Sequence, residues 1–358
     1  MKKKQELLKA LTAAGMQPFE FKSGNGSIVV TAHGARVLGA FTSDGAENAF
    51  FVNDELADPV KAAAFLAKEH VLGGDRLWIA PERGIFFTGN TEKDGVTTPA
   101  PVDPGQYRIA KLAGDTIKFV NEFVTPFHQV KESAVRGNVE RTIRIIENPF
   151  AYAPDVVPSG RVQFVGYEIN SRFELLAAPK DDLALGLWFL IQLVVPQGGY
   201  VYVPTLGRTK ITDYYEPTGA DYLRVEENHV RFKLDSTNRH KIGVRKTEVT
   251  GKIAYLSNEH QGKATLVVRN FLNNPSANYA DVPLHTPAGT QDSVQSYNHF
   301  TGPSGFGEIE FHSPGVTRGM AEPVVTDSNQ VWIFTGARAD LVAIAGRLLG
   351  LPAQVFAV

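Results

Sequence analysis

The sequence predicts a mostly β protein: a large antiparallel β-sandwich with a few peripheral helices. Short runs of alternating apolar and polar residues recur through most of the chain. Clusters of Gly, Pro, Asn and Asp separate them, with 33 Gly and 21 Pro in total. Few segments have helical spacing, and there is neither βαβα alternation nor a Gly-rich phosphate loop.

Residues 5–14 (QELLKALTAA) place Leu7, Leu8 and Leu11 on one helical face, and Gly15 follows as a stop. A second helix is expected over 59–69, with Asp58 as N-cap and Pro59 in the first turn. A third is expected over 339–349, closed by Gly350 and Pro352. The segments between read as strands. In 167–175 (YEINSRFEL), Tyr167, Ile169, Phe173 and Leu175 point one way, and Glu168, Asn170, Arg172 and Glu174 the other. Residues 229–234 repeat the pattern with Val230, Phe232 and Leu234 inward. Further strands are expected at 27–31, 36–41, 116–123, 141–147, 252–256 and 264–271. The Gly- and Pro-rich stretch 89–105 reads as one long surface loop, so the whole chain, 1–358, is expected to form a single domain.

With 36 basic against 38 acidic residues and no basic stripe, the chain lacks the charge excess of a nucleic-acid binder. There is no cysteine, which excludes disulfides, thiolate metal sites and cysteine nucleophiles. The start, MKKKQE, lacks the apolar stretch of a signal peptide, so a cytoplasmic location is expected. The longest apolar run, 183–196, is too short for a membrane span and carries Gln192 inside it. No histidine pair or acidic loop has metal-ligand spacing, and no G-x-S-x-G elbow is present, so no metal or cofactor is expected.

Three segments carry candidate chemistry. In 70–82 (HVLGGDRLWIAPE), Arg76, Trp78 and Glu82 combine a forked donor, a flat ring and a carboxylate behind a Gly pair. That mixture suits sugars, whose faces are apolar and whose edges carry hydroxyls. The alternative is a tight turn into a core strand, with Trp78 buried and Arg76 in a structural ion pair. In 306–314 (FGEIEFHSP), strand geometry puts Glu308, Glu310 and His312 on one face. In a cleft, carboxylate proximity would raise one pKa into the acid–base range; the alternative is a solvated outer face. In 292–299 (DSVQSYNH), Ser293, Gln295, Tyr297 and His299 share a face that either binds a ligand or forms a solvated edge.

The series GARVLGAF (34–41), GGDRLWIAPE (73–82), YEINSRFEL and LWFLIQLVVPQGG (187–199) resembles the galactose mutarotase-like superfamily. KIGV (241–244), DSVQSYN and FGEIEFHSP follow in the matching order. The resemblance implies a large antiparallel supersandwich and an aldose 1-epimerase-like activity. In such enzymes a glutamate takes the anomeric hydroxyl proton and a histidine protonates the ring oxygen. It places Glu308 or Glu310 as the base and His70, shifted, as a substrate-binding residue. The family's central Asn-His dipeptide has no counterpart near Leu187, Trp188 and Phe189, which leaves His299 or His312 for the acid. Two functions follow: a sugar epimerase with Glu308, Glu310 and His312 as catalytic candidates, or a non-catalytic carbohydrate-binding protein. His70, Arg76, Trp78, Glu82 and His299 are the substrate-binding candidates in either case.

Overall fold

The computed structural model describes residues 3–58, 60–68, 71–89, 95–153, 160–195, 197–281, 290–300 and 305–357. The first third of the chain comprises α1 (Lys4–Ala13), β1 (Pro18–Ser23), β2 (Gly26–Thr31), β3 (Arg36–Phe41), α2 (Ala62–Lys68), β4 (Asp75–Ala80), α3 (Glu82–Ile85), β5 (Arg108–Ala113) and β6 (Thr116–Pro126). Then follow β7 (Ala134–Ile146), β8 (Gln163–Ala177), β9 (Gly186–Val194), β10 (Gly199–Pro204), β11 (Ile211–Asp213), β12 (Leu223–Val225), β13 (His229–Leu234) and β14 (His240–Arg245). The chain closes with β15 (Lys252–Ser257), β16 (Ala264–Phe271), β17 (Asp292–Asn298), β18 (Phe306–His312), β19 (Val324–Gly336) and α4 (Arg338–Leu349).

Among the described residues these strands form two sheets. The first has nine strands in the order β1-β2-β3-β4-β9-β18-β17-β14-β11. The second has ten, in the order β12-β13-β10-β15-β16-β19-β8-β7-β6-β5. Neighbouring strands run antiparallel in both sheets.

The main core lies between the sheets and is built by period-2 alternation. Tyr167, Ile169, Phe173 and Leu175 of β8 are all fully buried, as their spacing predicts. Phe311 of β18 stacks on Phe189 of β9 at 4.5 Å and on Phe271 of the opposite sheet at 4.3 Å, which ties the two inner faces together. Each such side chain contributes about 1.5–3 kcal/mol by leaving water.

Helices cover the outer faces unequally. Leu7 and Leu11 of α1 pack with Val29, Leu38 and Phe41 at the β1–β3 end of the first sheet. Leu341, Ile344 and Leu349 of α4 cover Leu256, Leu266 and Phe334 of the second. The outer face of β4, β9, β18, β17 and β14 carries polar side chains instead.

Several boundaries and settings differ from the sequence expectation. Asp58 caps the second helix as expected, its Oδ1 accepting from the Val60 and Lys61 amides, and the regular helix runs over Ala62–Lys68. Of the expected surface loop, Val102 and Asp103 are in fact buried, on a helical turn over Pro101–Gly105. Residues 90–94 of that stretch lie outside the described residues. The apolar run containing Gln192 is β9, buried along nearly its whole length because strands flank it on both sides. The Gly pair does bring backbones together, but with protein: a Cβ on Gly73 would sit 2.1 Å from the Phe51 carbonyl oxygen, and one on Gly74 2.4 Å from that of Val37. No described helix is long and apolar enough to cross a membrane.

Candidate functional site

Strand β18 lies inside the first sheet, and register decides which side chains meet on its outer face. Glu308, Glu310 and His312 stand opposite Gln192, Leu190 and Trp188 of β9. On the other flank, Glu310 stands opposite Gln295 and Glu308 opposite Tyr297 of β17, and Lys241 of β14 stands opposite Tyr297. One strand beyond β9, Arg76 is opposite Leu190 and Trp78 opposite Trp188. Paired residues share a face, so one polar patch spans five strands.

This patch is not a solvated face. Glu310 is 0% exposed, Glu308 3%, His312 1% and Lys241 3%. Burying so many charges requires partners, and they are present. Glu308 Oε1 accepts from Arg76 Nη2 at 3.1 Å and from Gln192 Nε2 at 3.0 Å. Glu310 Oε2 accepts from the Trp188 indole N–H at 2.8 Å and lies 3.3 Å from Lys241 Nζ. The Lys241 ammonium also sits 4.5 Å from the Trp188 ring centre. Beyond it, Gln295 Nε2 donates to Asp281 Oδ2 at 2.9 Å and to Tyr214 Oη at 2.6 Å.

The electrostatics separate the two glutamates. Burial pushes the Glu310 carboxyl up to about 8, and the negative charges of Glu308 and Glu82 add to the rise; Lys241 and the Trp188 N–H oppose it. Its second oxygen, Oε1, has no hydrogen-bond partner. Burial lowers the His312 imidazole to about 4, with Lys241 adding to the effect, so the ring is neutral at pH 7. Both His312 nitrogens lack partners, and the ring stacks on Trp188 at 5.3 Å. Gln192 Oε1 and Gln295 Oε1 are buried acceptors without donors.

The structure thus joins Arg76, Glu308, Glu310 and His312 in one patch. Trp78 lies in the same face but is already engaged. Its ring stacks on Phe86 at 4.1 Å, the Arg76 guanidinium sits 4.0 Å from its centre, and its N–H donates to Asp103 Oδ2 at 2.6 Å. Asp103 is held in turn by Arg36. Glu82 is half-buried, with its backbone N–H donating to Asp281 Oδ1 at 2.9 Å. His299 is half-buried just past the end of β17, its Nδ1 2.7 Å from Tyr297 Oη and its ring stacked on Phe306. Strand β17 is internal to the sheet and not a solvated edge. His70 lies outside the described residues.

Lys241, Trp188, Gln192 and Asp281 are site residues that sequence reasoning did not single out. Gln192 carried a signal, a lone amide in an apolar run. Lys241 carried a weaker one, a lysine at the head of the short KIGV motif.

The fold and this patch define a class: an antiparallel two-sheet β protein with a buried acid–base cluster on the outer face of one sheet. The chain belongs to a family of unknown function, DUF6786, whose model matches residues 5–356. No curated protein matches it. Among solved structures it is similar to a galactose mutarotase-like protein from Clostridium acetobutylicum, with 9% identity, a TM-score of 0.46, and coverage of 89% of this chain and 98% of that one. It is also similar to a galactose mutarotase related enzyme from Lactobacillus acidophilus (9% identity, TM-score 0.43, 90% and 97% covered). A third is a galactose mutarotase-like protein from Lactobacillus casei (9% identity, TM-score 0.40, 89% and 99% covered). These neighbours are the kind of protein that the sequence motifs resemble.

Proposed function

We propose that the outer-face patch is a carbohydrate site and that Glu310 is the acid–base group of an aldose-epimerase-type reaction. The observation that carries this reading is the set of unmet polar atoms on one face, all buried: the amide oxygens Gln192 Oε1 and Gln295 Oε1, and Glu310 Oε1, which accepts when ionised and donates when protonated. Buried acceptors without donors are costly, and a ligand rich in O–H groups would satisfy them together.

The chemistry follows from the same geometry. Trp188 and Lys241 hold Glu310 Oε2 and leave Oε1, in the ionised form that grows as pH approaches 8, to take a proton from a sugar's anomeric hydroxyl. The C1–ring oxygen bond then breaks, its electron pair going to the ring oxygen, and the C1 oxygen becomes a carbonyl. A carboxyl raised to about 8 exchanges protons near neutral pH, where acid–base catalysis is most effective. Neutral His312 suits hydrogen bonding and proton relay better than the role of acid. Burial lowers the Lys241 ammonium and the Glu310 charge raises it, so once Glu310 has taken the anomeric proton Lys241 is the group able to give a proton to the ring oxygen, and ring closure reverses both transfers. Access runs past the half-buried rim of Glu82, Tyr215, Tyr297 and His299, which must move aside for a ligand to reach the floor.

The test combines calorimetry and NMR anomer-exchange measurements with a panel of monosaccharides and uronic acids. We expect one sugar to bind and its anomers to exchange faster with enzyme, with Glu310→Gln losing about two or more orders of magnitude in rate while keeping affinity. Binding without rate enhancement would make the chain a carbohydrate-binding protein, and absence of binding across the panel would end the carbohydrate reading.

A further inference from the structure

A second polar cluster lies between the two sheets, on the opposite side of the first sheet from the candidate site. Asp75 of β4 is fully buried there. Two arginines reach it from the second sheet: Arg141 of β7, whose Nη2 donates to Oδ1 at 3.3 Å, and Arg269 of β16, whose Nη2 donates to Oδ2. The Tyr167 hydroxyl of β8 donates to Oδ2 at 2.8 Å. Both arginines are 0% exposed. Two guanidiniums on one carboxylate leave a surplus positive charge among the groups in contact. Asp327 of β19, also buried, is engaged by Asn329 Nδ2 at 2.8 Å and forms no ion pair with either arginine among the described residues.

Unmet hydrogen-bonding groups collect at the same place. Nε and Nη1 of Arg141, Nε and Nη1 of Arg269, Ser171 Oγ and Asn329 Oδ1 all lack partners. Register brings them together: Arg141 stands opposite Ser171, Ser171 opposite Asp327, and Arg269 opposite Val331, two residues along β19 from Asn329. Ser171 and Asn329 therefore lie on β8 and β19, the strands between the two arginines. These four guanidinium nitrogens carry six N–H donors beside a single contacting carboxylate, and an acceptor with negative charge satisfies them and balances the second guanidinium at close range, which water does not.

We infer that a monovalent inorganic anion of halide size, chloride in ordinary buffers, binds between Arg141 and Arg269 inside the sandwich. Close packing between two sheets excludes a polyatomic anion such as phosphate, so the size of the ion is set at a single atom. The ion enters as the chain folds, because its contacts are sealed from solvent. It acts as a structural component, independent of the carbohydrate reading.

The test refolds the protein from denaturant in sodium gluconate, chloride or bromide at equal ionic strength and measures stability in each. Above the dissociation constant, each tenfold rise in halide should raise the folded-to-unfolded ratio about tenfold. Crystals of bromide-refolded protein should show an anomalous peak within hydrogen-bonding distance of both arginines. Arg269→Met removes the surplus charge and should abolish the halide dependence. Ser171→Ala leaves both ion pairs in place and should weaken that dependence, so it serves if the arginine variant does not fold. Equal stability in gluconate and chloride, or a site filled by water with no anomalous signal, would overturn the inference.

Discussion

Replacing Glu310 by Gln separates two descriptions of the buried Glu310–Lys241 contact. Gln keeps the shape, and its amide oxygen still accepts from the Trp188 indole N–H, 2.8 Å away in the native protein. If burial keeps the carboxyl protonated, the substitution removes little at pH 6. If the carboxyl is ionised there, the substitution strands a buried lysine, and breaking such a pair costs about 3–5 kcal/mol. The raised carboxyl favours the first outcome. The sign follows from linkage: between the ordinary value of 4.5 and about 8, the folded state holds a proton that the unfolded state has released. Stability is therefore fully present below pH 4.5 and declines as pH rises, by up to about 1.4 kcal/mol per pH unit from this one group. Urea titrations from pH 4 to 9 on both proteins supply the assay. We expect wild type and Glu310→Gln to agree within about 1 kcal/mol at pH 5 and the variant to lack the wild-type decline. A loss of 3–5 kcal/mol in the variant at pH 6 would refute the reasoning and make Glu310 a permanently charged partner of Lys241.

Arg76→Ala should cost about 3–5 kcal/mol, because it leaves Glu308 buried without its ion-pair partner. The double variant Arg76→Met, Glu308→Leu should recover much of that in urea unfolding; an unchanged midpoint for Arg76→Ala would show the pair contributes nothing. Ile309→Ala, on the core face of the same strand, should lower stability by about 2–5 kcal/mol without changing ligand affinity, as measured by calorimetry with any sugar that binds. If the chain folds as one unit, near- and far-UV circular dichroism should report coincident thermal transitions; two separated transitions would divide it into domains.

Alternation along single strands was legible in the sequence, because side-chain direction in a strand depends only on the local backbone. It put Tyr167, Ile169, Phe173 and Leu175 inward, and it grouped Glu308, Glu310 and His312 on one side. The mostly β class and the helix at each end were also readable from short-range pattern, as was the alternative for the Gly-pair segment, with Trp78 buried and Arg76 in an ion pair. Whether the face bearing Glu310 met water was not readable. Three charged or ionisable residues at alternate positions look like a solvated face until neighbouring strands supply partners. Those partners come from far away in sequence: Arg76 is 232 residues from Glu308, and Trp188 is 122 from Glu310. The sheet order that sets β18 between β9 and β17 brought them together, and it turned Gln192 from an oddity in an apolar run into a ligand of Glu308. Asp103 moved the other way, from an expected surface loop to a buried anchor for Arg36 and Trp78, because the turn that carries it packs against β4 and β6, with Val102 in the core between the sheets. Local sequence determined which side chains share a face; only the pairing of distant strands decided what that face is buried against, and with it the charge state of its acids.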